Sequence, residues 1–234
     1  MSDQEERNYP FKKGLESKTD ITAGVFSEIK QFQDDDRWIV KEYVHLIGSL
    51  ASPELQFQLF RDQVKKSDDL IEEFGPGLKK FIPEHQLIFG TNAKGEKRGF
   101  MAMKKVKGED LEKMKTVSAE LVTQLEEIIG ESVKFYRNNF EKLGVGYFPD
   151  LMPPQNDDNV RFGNLMWGEV EGKTGLYWID TYPLRRYEDP AGLAVILQVM
   201  MQMFELEKGA KFADGFIQKM THEIEVAEKK GVVK

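Results

Sequence analysis

A chain of 234 residues, 40% hydrophobic and 31% charged, has the makeup of an ordinary soluble protein, long enough for one large domain or two small lobes burying roughly 70–75% of the unfolded surface. A formal charge of −7 argues against wholesale nucleic-acid binding, which needs a basic face, and the absence of cysteine excludes a disulfide framework, a thiolate nucleophile and a cysteine-based zinc site. No apolar run approaches the ~20 residues of a membrane span, and MSDQEERNYPFKKG lacks the apolar core of a signal peptide, so the expectation is a cytoplasmic protein with no membrane and no nucleic-acid partner.

The N-terminal part has strand-like runs at Val25 to Phe32, Trp38 to Val44, Gln86 to Phe89 and Gly99 to Lys105, with DDD at 34–36 and NAKGEKR at 92–98 as polar hairpin turns. Between them, Pro53 to Phe74 reads as a long amphipathic helix. Ser52 suits its cap, Pro53 its first turn, and Gly75-Pro76-Gly77 ends it. A sheet of about five strands on this one helix is the expected arrangement for residues 1–104. The acids Asp68, Asp69, Glu72 and Glu73 read as its solvated face.

Residues 105–234 read as a mainly helical part, joined to the first near Lys104 to Glu109. Leu121, Leu125, Ile128, Ile129, Val133, Tyr136 and Phe140 recur at helical spacing within Ser118 to Leu143 and form one apolar stripe. Ala191 to Phe204 is apolar nearly all round, which marks a central helix. Ala213 to Lys230 is a charged amphipathic helix. His45, His85 and His222 have no ligand partner nearby in sequence and read as packing or surface residues.

The chemistry concentrates in Asn159 to Pro183, NVRFGNLMWGEVEGKTGLYWIDTYP. Asn164 opens the run before Gly168, and Asp180 ends LYWID after the turn-prone GKTG at Gly172 to Gly175. Two paired strands bring this amide and this carboxylate to the same end of a hairpin, where hard oxygen ligands suit magnesium. Asp180 also reads as a turn carboxylate at a strand end, and Asn164 as a turn residue after Gly163.

This arrangement resembles the catalytic core of the protein-kinase-like superfamily, where an Asn and an Asp around a hairpin carry the metal ions. Other segments follow in that family's order. Trp38 to Val44, WIVKEYV, is similar to the strand whose lysine binds the nucleotide phosphates, here Lys41. Phe100 to Leu111, FMAMKKVKGEDL, resembles the strand and hinge that carry the adenine, with Met103 in it. The resemblance implies a two-lobed α+β fold, with a small antiparallel-sheet lobe bearing one helix and a mainly helical second lobe. It also implies ATP and Mg2+ as cofactors, a nucleotide as partner, and an acceptor hydroxyl on a small molecule or a protein. In style it stands nearest the aminoglycoside and choline kinases. On the first helix, Glu54 and Asp62 are the implied partners of Lys41.

Two departures qualify what it implies. Five residues before Asn164 stands Asn159, where the family places the Asp that takes the acceptor proton, and an amide cannot serve as that base. Asp158 next door, Asp150 from FPDLMPP on a lengthened loop, or no transfer to an alcohol are the three readings. No full glycine-rich loop precedes Lys41; Gly24 with Val25 is the turn that would cover phosphates. Three functions therefore stand: a phosphotransferase, a pseudokinase or nucleotide-binding interaction module without the base, and an unrelated α+β domain. IDTYP in place of IDFG, with Pro183 fixing its backbone, implies a constitutively arranged site. Arg185 and Arg186 read either as acceptor ligands or as partners of Glu188 and Asp189.

Overall fold

In the computed structural model, which describes residues 6–8, 27–31, 35–43, 52–91, 95–151, 162–180 and 184–231, the strand-forming runs of the N-terminal part pair into one sheet. The chain is a mixed α/β protein of mainly antiparallel sheets and helices. It divides into two compact units, Met1–Lys65 with Pro83–Lys105, and Lys66–Ile82 with Val106–Lys234.

The first unit holds β1 (Glu6–Asn8), β2 (Ser27–Gln31), β3 (Trp38–Tyr43), β4 (His85–Thr91) and β5 (Lys97–Lys104), in the spatial order β1-β4-β5-β3-β2. Every pairing is antiparallel except β1 with β4. Arg37 closes the turn before β3: its guanidinium and backbone N–H both donate to Asp35, holding that carboxyl down at about 2. Side chains alternate across a strand, so Val40, Ile88, Phe100 and Ala102 form an apolar cluster on one face, with Trp38 packed against them. On that same face the Lys104 ammonium sits 4.5 Å from the Trp38 ring centroid. Ile39, Lys41, Met101 and Met103 share the opposite face.

Helix α1 (Pro53–Phe74) starts where Ser52 accepts a hydrogen bond from the Leu55 N–H at 3.3 Å. Its first half belongs to the sheet unit, where Phe57 meets Phe89 at 5.0 Å between ring centroids and lies directly under Gly99. A Cβ on Gly99 would come within 2.7 Å of the Phe57 ring, so a side chain there would push the helix off the sheet. Phe57, Phe60, Val64, Ser67, Ile71 and Phe74 are its buried positions, at alternating three- and four-residue spacing. Gly75-Pro76-Gly77 does end the helix, and the chain continues in a tight 3-10 helix, Pro76–Phe81. Leu78 and Phe81 are buried there, and burying those two side chains selects the compact turn.

The second unit is organised on α2 (Ala119–Leu143), capped by the Ser118 hydroxyl accepting from the Leu121 N–H at 3.1 Å and ended by Gly144 in the left-handed region, φ +69°. Its apolar stripe is buried, with Leu121, Leu125, Ile128, Ile129, Phe135 and Tyr136 fully enclosed. Five short strands in two sheets share the unit with it. β6 (Lys107–Asp110), β8 (Leu165–Val170) and β9 (Lys173–Trp178) form one sheet in the order β6-β8-β9, while β7 (Gly146–Phe148) pairs antiparallel with β10 (Arg185–Tyr187). Helices α3 (Pro190–Lys208) and α4 (Phe216–Gly231) complete the unit and pack on each other. Lys208 donates to the Glu112 and Met114 carbonyls at 3.0 and 2.6 Å, which fastens the end of α3 to the segment after β6.

The β8–β9 turn is tighter than the GKTG segment suggests. Glu171 and Gly172 alone turn the chain, at φ +49° and +82°, and Lys173 already belongs to β9. Two successive residues at positive φ match the right-handed twist of a two-residue hairpin, which leaves Lys173 to Gly175 free to pair. On the other side, β6 and β8 touch through a pair of glycines. A Cβ on Gly108 would overlap the Trp167 carbonyl, and one on Gly168 would lie 2.7 Å from the Lys107 carbonyl O.

Two consequences are measurable. Gly168→Ala forces β6 and β8 apart with backbone on both sides, so it should lower unfolding stability by about 1–3 kcal/mol in urea; an unchanged midpoint would mean that the strands are not in this close pairing. Burial raises the Tyr187 phenol above its ordinary value of 10.0, against the lowering pull of the Arg185 charge and hydrogen bond. A phenol raised on folding contributes stability that is complete below its unfolded value and lost as pH climbs through the folded one. Between about pH 9 and pH 11, Tyr187→Phe should therefore lose less stability than the parent. Equal losses would place Tyr187 in water.

Candidate functional site

In the second unit, the site residues are placed by strand ends that α2 holds. Asn139 of α2 is fully buried and clamps the start of β7. Its side-chain NH2 donates to the Phe135 and Tyr147 carbonyls at 2.7 and 3.0 Å, while its oxygen accepts from the Tyr147 N–H at 2.7 Å. A buried amide with donors and acceptor all engaged is a rigid anchor. Gly146 lies flat against the Tyr136 ring, where any Cβ would overlap it. From this anchor β7 leads through Phe148 and Pro149 to Asp150.

The β8–β9 hairpin supplies the facing residues. Leu165 stands opposite Trp178, and the Ile179 N–H donates to the Asn164 carbonyl at 3.0 Å, so Asn164 and Asp180 do emerge at the same, open end. Gln124 of α2 accepts from the Leu176 N–H at 2.8 Å, tying β9 to the same helix that anchors β7. The Asn164 side-chain NH2 donates to the Asp150 carbonyl at 2.8 Å. This bond brings together two residues that the sequence separates by the stretch 151–163. Asn164, Asp180 and Asp150 are each half-buried, open to water on one side.

An ion pair that the sequence reading missed completes this cluster. Arg185 Nε lies 2.9 Å from Asp150 Oδ1, both side chains being largely but not fully buried. The β7–β10 register makes it: Arg185 stands opposite Phe148, two residues before Asp150. Of the partners expected for the two arginines, only Glu188 is taken as foreseen, by Arg186 at 2.7 Å on the exposed side. No signal in the local sequence points from Arg185 to Asp150; the strands that join them have three residues each.

In the first unit, Lys41 is 4% exposed on β3, opposite Met101, and Met103 is equally enclosed on the same face. Glu54 and Asp62 are both exposed on α1, Asp62 with its carboxylate 3.7 Å from Arg61. The other acids of α1 are not among its buried positions either. Gly24, Asp158 and Asn159 lie outside the described residues.

Among the described residues no group of three or more His, Cys, Asp and Glu side chains is arranged for a metal ion, and no helix is long and apolar enough to cross a membrane. The donor set at the hairpin end is one amide and one carboxylate. That set fits magnesium, which takes one or two protein oxygens and fills its remaining positions with water and phosphate oxygens.

No family model matches the chain, and no curated protein matches it. Among solved structures it is similar to that of an apo pseudokinase, at 8% identity over 88% of this chain and 81% of that chain, with a TM-score of 0.38. A likeness of that size leaves the fold at the coarser level, a mixed α/β chain of mainly antiparallel sheets and helices.

Proposed function

We propose that the chain is an ATP- and magnesium-dependent phosphotransferase with a two-lobed, kinase-like fold, acting on a hydroxyl acceptor. The observation that carries this reading is the bond from the Asn164 amide to the Asp150 carbonyl. It seats a carboxylate-bearing residue beside the metal-capable amide, as a phosphoryl-transfer site requires of its acceptor-side base. Of the three readings of the missing base, the contact supports Asp150 on a lengthened loop.

In this reading each residue has a physical task. Asp150, half-buried, accepts the acceptor's proton and aligns its oxygen. Asn164 and Asp180 would hold the magnesium ion, which when bound neutralises charge on the nucleotide phosphates. Lys41 and Met103 are assigned to the nucleotide on the strength of their sequence pattern. Burial of both on one face of the sheet agrees with that assignment.

The second reading is a pseudokinase or nucleotide-binding interaction module, in which the same residues bind nucleotide without turnover.

Thermal unfolding with and without magnesium-ATP separates the readings at the binding step. A ligand held only by the folded state at a hundredfold excess over its dissociation constant adds about 2.7 kcal/mol, so a magnesium-dependent rise in Tm is expected. Asp180→Ala should abolish the magnesium dependence while leaving the ligand-free Tm nearly unchanged. Asp150→Asn should keep the rise but lower release of the γ-phosphate to water by about 10²–10⁴-fold. Binding without turnover in the parent protein would establish the second reading, and no shift at millimolar nucleotide would remove both.

A further inference from the structure

The pairing of Arg185 with Asp150 is more than the strand architecture needs. β7 and β10 are already joined by their backbone ladder from Gly146–Tyr187 to Phe148–Arg185, and by the Tyr187 ring set edge-on to Phe148 at 6.2 Å and 89°. An ion pair added to a joint already made costs the desolvation of two charges, and here the side chains retain only 27% and 19% of their exposure. What the pair does accomplish is to set a positive charge 2.9 Å from one specific atom, Asp150 Oδ1.

We propose that Arg185 is a positioning residue: its guanidinium fixes the rotamer of the Asp150 carboxylate on the acceptor side of the site. This rests on the phosphotransferase reading given above. Alternation along β10 puts Arg185 and Tyr187 on one side of the strand and Arg186 on the other, where it pairs with exposed Glu188. The Tyr187 ring on that side is set edge-on to Phe148. Asp150 is thereby held twice, through its carbonyl by Asn164 and through its carboxylate by Arg185. An aligned carboxylate matters because a base displaced by about 1 Å can lose two orders of magnitude in rate.

The test has one arm without turnover and one with it. In the ligand-free protein, the Arg185 Nε–H resonance, assigned by its absence in Arg185→Lys, should shift on Asp150→Asn. An unmoved resonance would mean that the pair does not form in solution and would overturn the proposal. With magnesium-ATP and water as acceptor, Arg185→Gln should lower kcat for phosphate release by about 10- to 100-fold, with KM and the magnesium-ATP rise in Tm unchanged. Arg185→Lys should restore part of that loss, and Arg185→Gln should be silent once Asp150→Asn is present. A merely structural clasp would lower the Tm and leave kcat intact, which would overturn the proposal while leaving the phosphotransferase reading in place. A parent protein that fails to bind magnesium-ATP would instead overturn that reading, and the positioning role with it.

Discussion

The register of β8 against β9 is the constraint on which the candidate site depends. With Leu165 opposite Trp178, both buried, the Ile179 N–H reaches the Asn164 carbonyl and the two chain ends leave the hairpin side by side. A slip of one residue would turn Leu165 and Trp178 out of the core and move every residue beyond them to the wrong face. The two-residue turn at Glu171 and Gly172 fixes that register from the closed end, and the Gln124 side chain fixes it from α2. The glycine contact between Gly108 and Gly168 then admits β6 at a spacing that no larger residue permits.

Much of this frame was legible in the chain because its elements are long or sharply punctuated. Pro53 to Phe74 forms the expected helix from Ser52 to Gly75, and Ser118 caps a helix that ends at Leu143. β2 pairs with β3 and β4 with β5 antiparallel, as a polar run between alternating segments favours, but Lys97 and Arg98, read as turn, already belong to β5. The elements that escaped are short. β1, β7 and β10 have three residues each, too few for alternation to rise above composition, and pairing partners far along the chain decide whether they are strands at all.

The same distinction holds at the site. Asn164 and Asp180 share a hairpin, so local sequence was enough to bring them together. The implied partners of Lys41, Glu54 and Asp62, were read from their distance along the chain, and both stand at exposed positions of α1. Asp62 lies two positions from both Phe60 and Val64, about 200° around the axis from each, and is turned to water by the burial of those two. Glu54, in the first turn, is exposed at the helix end. Arg185 shows the converse. Its nearest acids in sequence, Glu188 and Asp189, are passed over for Asp150 because an antiparallel partner strand sets that carboxylate closer than the local turn sets the others.

Precision at Asp150 is therefore inherited from a side chain that does no chemistry. Asn139, at 0% exposure, has both ends of its amide committed to the backbone of α2 and β7. Breaking those bonds would strand buried polar groups at about 1–3 kcal/mol each, so β7 has no inexpensive alternative position on the helix. β10 pairs with β7 in the register that delivers Arg185 to the carboxylate two residues past the strand. The hairpin is secured to the same helix through Gln124, so Asn164 and Asp150 meet as two extensions of one scaffold and not as the tips of independent loops. A site assembled in this way needs no rearrangement of backbone to bring its amide to the Asp150 carbonyl, which is the property that the proposed phosphoryl transfer, governed by positioning and electrostatics, would demand.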